Sequence, residues 1–304
     1  MLVGPTMRRR RLGADLRRLR EARSLRLEEV AARLGVVPST LSRIETGKAP
    51  TRVGYLSIML DLYGVTDPAH RQTLADLARE GHGKGWWAEY EDVLPAGGGT
   101  YLGLESAARS VLAFAAQAVP GLLQTPDYAR AMVAAARPEL TPVQADRLVT
   151  AQLRRQQVLG DGEPGGFRFV LDESVLVRRL GSAAIMRGQL ERVAELAAHP
   201  AVVLQVLSLA TADRPLPAGP FAVLTFTGPA GAGPAGAGPA GAGPADIQPG
   251  DSDVVCAEGI RGQFLLADRD ADVRPARQTF DALSRCALAP QRSADLVARL
   301  TRRC

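Results

Sequence analysis

The stretch Gly35-Val36-Val37-Pro38 leaves the chain very little freedom. Helical spacing runs through Val30, Ala31 and Leu34, and Gly35 then stands where a left-handed residue ends a helix. Three residues later comes Pro38, which suits the first turn of a helix and breaks an interior. One helix must stop and another start within this link. In the second helix Leu41 and Ile44 are three apart and share a face, so Ser39, Ser42 and Arg43 lie away from it. That gives a short helix with a buried back and a polar front, crossed closely by its neighbour at the small Ala31.

Further helical patterns flank this pair. Leu12, Leu16 and Leu19 repeat at helical spacing before it, and "TRVGYLSIMLDLYGV" and "DPAHRQTLADLARE" follow, the last opened by Pro68. The expectation is an all-α N-terminal domain of about five helices over residues 1–80. Charge singles out the same region. Residues 1–64 hold 13 Lys or Arg against 6 Asp or Glu, a balance of +7, whereas the whole 304-residue chain carries +5 and its remainder is therefore near −2. A basic segment on a near-neutral body points to a polyanion held by that segment. Arg8 to Arg11 read either as a flexible arm over a DNA backbone or as a soluble tail.

Beyond the glycine-rich stretch before Trp86 and Trp87 the pattern changes, and residues 81–304 are expected to form an α/β domain with a modest sheet. The paired tryptophans read as anchors of its core. "LPAGGGT" reads as a loop, and "LESAARSVLAFAAQAV", "PDYARAMVAAA" and "PVQADRLVTAQLRRQQVLG" as helices. Thr125 before Pro126 is suited to cap one of them. "FRFVL", "VVLQVL", "FAVLTF" and "DVVCA" read as strands, and further helices are expected near residues 186–198 and 275–303. Three consecutive PAGAG units at 229–243, extended to 245, cannot bury enough apolar surface to offset chain entropy, so a disordered surface loop is expected there.

Several function classes are disfavoured. Cys256, Cys286 and Cys304 form no CxxC pair, and His70, His82 and His199 lie far apart, so neither a metal site nor a cofactor is expected. The longest apolar run, Val111 to Leu123, is interrupted by Gln117, Pro120 and Gly121, and no signal peptide opens the chain; a cytoplasmic protein without a membrane span is expected. "ETGKAP" lacks the earlier glycine and the hydroxyl of a phosphate-binding loop. Asp172 and Glu173 are an adjacent carboxylate pair, but neighbours at a strand end point apart, whereas acid–base chemistry needs both aimed at one substrate. The chain is not expected to be an enzyme.

The order helix, Ala31, Gly35, "PSTLSRIETGKAP" resembles the Xre-type helix-turn-helix of repressor and Cro-like regulators. The resemblance implies that the second helix of the pair enters the major groove of double-stranded DNA. It places Pro38 at the start of that helix, Ser39 and Arg43 at base edges with Ser42 beside them, and Thr40 at a phosphate or base. It places Lys48 and Arg52 at phosphates. It pairs Glu45 with Arg20 of the first helix as scaffold. This sequence departs from the pattern at Arg26 and Val37, where helix-capping side chains are usual, and at Leu27, where a Gln that touches phosphate is common. Each lost cap costs about 1 kcal/mol.

The later motifs "GWW", "LESAA", "VPGLLQTPDYARAM", "RRQQVL", "VLDESVLVRRLG", "QLERV" and "PFAVLTF" are similar, in this order, to antitoxin-like transcriptional regulators of the actinobacterial type. Cys256 stands where that family tends to carry an aromatic residue. The resemblance implies a homodimer, a C-terminal domain that dimerises or senses a partner or ligand, and a small partner protein encoded by an adjacent gene. The alternative is a protein-interaction module whose helix-turn-helix is degenerate.

Overall fold

The computed structural model describes residues 5–160, 162–212, 214–226, 253–258 and 263–304. The expected repeat loop at 229–245 lies outside them. The described residues separate into two compact units, 5–88 and 89–304.

The first unit is all-helical: α1 (Pro5–Ala22), α2 (Leu27–Leu34), α3 (Pro38–Glu45), α4 (Val53–Leu62) and α5 (Pro68–Gly81). Its core joins Leu12 and Leu16 of α1 to Val30, Ala31, Leu41, Ile44, Met59 and Leu74. The Arg8 to Arg11 run is neither arm nor tail; it lies inside α1, where Arg8 Nη1 meets Glu80 Oε2 at 2.7 Å. Trp86 and Trp87 also fall in this unit rather than in the core of the second, with rings 6.0 Å apart at 78°.

Helix α1 meets the end of α3 at Gly13, where a Cβ would stand 2.5 Å from the Ile44 carbonyl oxygen and 2.6 Å from that of Glu45. Both obstacles are backbone. Alanine is favoured over glycine inside a helix by about 1 kcal/mol, but overpacking a rigid contact costs about 1–3 kcal/mol. Gly13→Ala is therefore expected to lower stability in spite of its propensity gain, and a raised melting temperature would show that the two helices stand further apart.

The second unit begins with α6 (Gly98–Glu105) and β1 (Ser110–Ala115), followed by α7 (Pro126–Ala136), α8 (Pro142–Arg154) and β2 (Phe167–Asp172). Next come α9 (Glu173–Val177), α10 (Ala183–Ala197), β3 (Val202–Leu207), β4 (Phe221–Thr225), β5 (Val254–Glu258), β6 (Phe264–Ala267), α11 (Asp270–Cys286) and α12 (Pro290–Thr301). The six strands form one sheet in the order β3-β2-β1-β4-β5-β6. β1, β2 and β3 are parallel; β4, β5 and β6 each run antiparallel to the preceding neighbour. Helix α11 covers sheet residues Leu112, Phe114, Val170 and Val223 with Val273, Phe280 and Leu283. The mixed architecture is the one expected.

Two local readings are corrected. Residues 110–115, expected within a helix, form β1, and the preceding "GGT", expected in a loop, opens α6. Every residue of β1 is buried between β2 and β4. A strand buried on both faces carries a continuous apolar run, which periodicity cannot tell from a buried helix. The edge strand β6 has only four residues, with Leu265 exposed, and left too little pattern to be expected.

Buried polar groups pin this unit. Glu105 accepts from Arg155 Nε at 2.7 Å and Nη2 at 2.6 Å and from the Tyr101 hydroxyl at 2.7 Å, while Phe264 stacks on Tyr101 at 4.3 Å. Burial, reinforced by the Glu105 charge, pushes the Tyr101 phenol well above its usual range. The motif "VPGLLQTPDYARAM" owes its shape to Gln189, which accepts from Thr125 N at 2.8 Å and donates to Leu123 O at 2.7 Å. Thr125 caps α7, as its position before Pro126 implies, by accepting from Tyr128 N at 3.3 Å.

Candidate nucleic-acid interface

The link between α2 and α3 takes the course that its residues impose. Gly35 is left-handed, with φ 65° and ψ 31°, and the Val36 amide bonds the Ala31 carbonyl at 3.0 Å to close the helix end. Val37 is extended and Pro38 opens α3. At the start of α2 the absent hydroxyl cap is partly replaced from the other side. Glu29 reaches back to accept from Arg26 N at 2.8 Å, Nε at 3.1 Å and Nη2 at 3.0 Å, which supplies half of a capping box. Those bonds hold the Glu29 carboxyl below its ordinary range. At α3 no side chain replaces the cap, since the Val37 side chain offers no acceptor and the residue is 61% exposed.

The back of α3 is fastened by Leu41 and Ile44 in the core and by Glu45, which accepts from Arg20 Nε at 2.7 Å and Nη2 at 2.9 Å. The side chains are 3% and 10% exposed. Hydrogen bonding to Glu45 raises the Arg20 guanidinium above its ordinary value, and Arg20 Nη1 also holds the Leu25 carbonyl at 2.8 Å. Arg20 thus joins α1, the link before α2, and α3.

The front of α3 is open. Pro38, Ser39, Ser42 and Arg43 are exposed and Thr40 is half-buried, while Lys48 and Arg52 stand exposed on the loop that follows and at the start of α4. The loop is folded back on α3, because the Lys48 and Ala49 amides both bond the Arg43 carbonyl, at 2.8 and 3.0 Å. The structure therefore gathers all the residues expected at DNA onto one helix front and its adjoining loop.

Most other arginines of the unit are paired, whereas the cations of this front are not. Arg17, Arg18, Arg26, Arg71 and Arg79 each meet a carboxylate, and Arg23 is spent on the Tyr63 carbonyl at 2.8 Å. Arg43, Lys48 and Arg52 have no acidic partner among the described residues; Arg52 lies 5.7 Å from the Tyr55 ring. Among the described residues Lys84, beyond α5, also lacks an acidic partner, and so does Arg33 in the last turn of α2. Its spacing from Glu29 suits an i, i+4 ion pair, but Glu29 is taken by Arg26.

The adjacent carboxylates Asp172 and Glu173 face different partners. Asp172 Oδ2 accepts from Arg214 Nη1 at 2.6 Å, and Glu173 Oε2 accepts from Ser208 Oγ at 2.7 Å and Leu209 N at 2.8 Å. Both fasten the connection between β3 and β4. No helix among the described residues is long and apolar enough to cross a membrane.

Comparison with known families gives two matches. A model described as a helix-turn-helix domain matches residues 11–74, and one described as a domain of unknown function, DUF5753, matches residues 99–299. No curated protein and no solved structure matches the chain.

Proposed function

The chain belongs to the DUF5753 family, and because a helix-turn-helix domain precedes that family's domain, we propose that it is a sequence-specific DNA-binding transcriptional regulator. In this reading α3 enters the major groove, with Ser39, Ser42 and Arg43 at base edges and Thr40 at a base or phosphate. Lys48, Arg52 and Arg33 meet phosphates. The observation that carries the reading is the set of cations left without acids on and beside the polar front of a helix whose back is locked by Arg20 and Glu45. Unneutralised Lys and Arg on a helix front are what a phosphate backbone takes up.

The finer assignment is an Xre-type, antitoxin-like regulator that acts as a homodimer in the cytoplasm. Two recognition helices then meet two half-sites about one helical turn apart. The second unit serves dimerisation or the sensing of a partner, such as a small protein encoded by an adjacent gene. The ordered motifs from "GWW" to "PFAVLTF" support this. No catalytic step, metal or cofactor enters.

The test is selection of genomic fragments by the purified full chain, followed by titration of a selected duplex at several salt concentrations. Binding is expected to weaken with salt along a straight log–log line, by about 0.9 in slope for each phosphate contact. A folded protein that retains no fragment would instead support the protein-interaction module with a degenerate helix-turn-helix, for which the uncapped start of α3 is the favouring observation.

A further inference from the structure

On the second unit, two acid-free segments bring six arginines together. From Ser174 to Leu190 the chain holds Arg178, Arg179 and Arg187 with no Asp or Glu, and from Leu296 to Cys304 it holds Arg299, Arg302 and Arg303, again with no Asp or Glu. These segments lie on α9, α10 and α12, and α12 packs against both of the others. All six arginines are exposed, and none has a carboxylate partner among the described residues. Elsewhere in this unit the exposed Arg109, Arg130 and Arg192 have one, while Arg269, Arg285 and Arg292 do not.

Between the three helices lies a cavity of about 190 Å³. Its walls are apolar: Leu176 and Met186 are buried, Leu300 is half-buried, and Val177 is half exposed among the cations. Arg179, Arg303, Cys304 and Ala183, the first residue of α10, complete the lining. The first turn of α10 carries no acid, so its amide end adds to the positive potential.

This lining sets the chemistry of what fits. A guanidinium has five donors and no acceptor, so the ligand must bring the acceptors and the negative charge. The walls call for an apolar body, and a dry cavity of about 150 Å³ is already large enough to take up benzene. We infer that the cavity between α9, α10 and α12 binds a small organic acid, a carboxylate on an apolar body of phenyl or short acyl size. Its residues all belong to the second unit, so the site is independent of whether α3 binds DNA.

The experiment uses the full chain, with phenylacetate and hexanoate as probes. Phenylacetamide and hexanamide serve as neutral isosteres and inorganic phosphate as an anion without an apolar body. Binding is followed by calorimetry. At least one acid is expected to bind about tenfold or more tighter than its amide and than phosphate, since charge-assisted bonds are roughly twice as strong as neutral ones. The double variant Arg179→Gln/Arg303→Gln is expected to lose that advantage at an unchanged melting temperature, because both side chains are exposed. Failure of both acids to bind would overturn the inference. So would equal binding of acid and amide, phosphate binding as tight as the acid, or undiminished binding by the double variant. A random duplex at low salt is the last probe: retention that depends on these two arginines, with no acid bound, would reassign the patch to nucleic-acid backbone.

Discussion

Glu45→Ala is expected to destabilise the first unit by about 3–5 kcal/mol, because it strands the Arg20 guanidinium among buried groups without its carboxylate. A loss of that size takes up a large part of the roughly 5–15 kcal/mol by which a domain is stable. Arg20→Ala should cost a similar amount, since Glu45 is then the buried unpaired charge and the Leu25 carbonyl also loses its donor. The paired replacement Arg20→Met/Glu45→Leu is expected to recover most of the loss, because apolar side chains carry no desolvation penalty. Urea unfolding of the four proteins decides the matter. A double variant no better than the singles would mean that the geometry of the ion pair, and not merely its neutralisation, holds α1 to α3. A normally stable Glu45→Ala protein with altered operator preference would move Glu45 from scaffold to DNA contact.

Arg43→Ala is expected to act on specificity. An arginine that meets guanine through two hydrogen bonds contributes about 1–3 kcal/mol of discrimination, so its loss should weaken a selected operator by roughly ten- to a hundredfold and a scrambled duplex far less. Lys48→Ala and Arg52→Ala remove contacts to phosphate, which carries no base identity. Those two variants should weaken both duplexes alike, and each should flatten the slope of log affinity against log salt by about one unit. Arg33→Ala is expected to join them, as the cation that Glu29 leaves unneutralised. The measurement is binding of each variant to both duplexes across a salt series. Were Arg43→Ala to weaken both duplexes equally while Lys48→Ala erased the preference between them, α3 would have to be docked the other way round.

Much of the first unit was legible before its tertiary structure. Its helices are bounded by residues that act on their own backbone: Gly35 accepts a left-handed turn, and Pro38 and Pro68 suit a first turn. The spacing of Leu41 and Ile44 likewise set which face of α3 is buried. Legibility fell where identity depends on neighbours far away in the chain. "SVLAFA" is a strand because β2 and β4 bond it from both sides, and nothing within the six residues says so. Arg8 to Arg11 look like a solvated run, yet they lie within α1, and Arg8 engages α5 through Glu80.

The candidate interface divides along the same line. Helix ends, the polar front of α3 and the position of Arg43 follow from the sequence alone, since dihedral restriction and helical period are local properties. Which charges remain available was decided only in three dimensions. Glu29 could have served Arg33 one turn away but turns back to Arg26, and Asp172 and Glu173 go to residues 42 and 35 positions further on. Ion pairing is a competition among all groups within reach, and the fold, not the spacing along the chain, determines who is within reach.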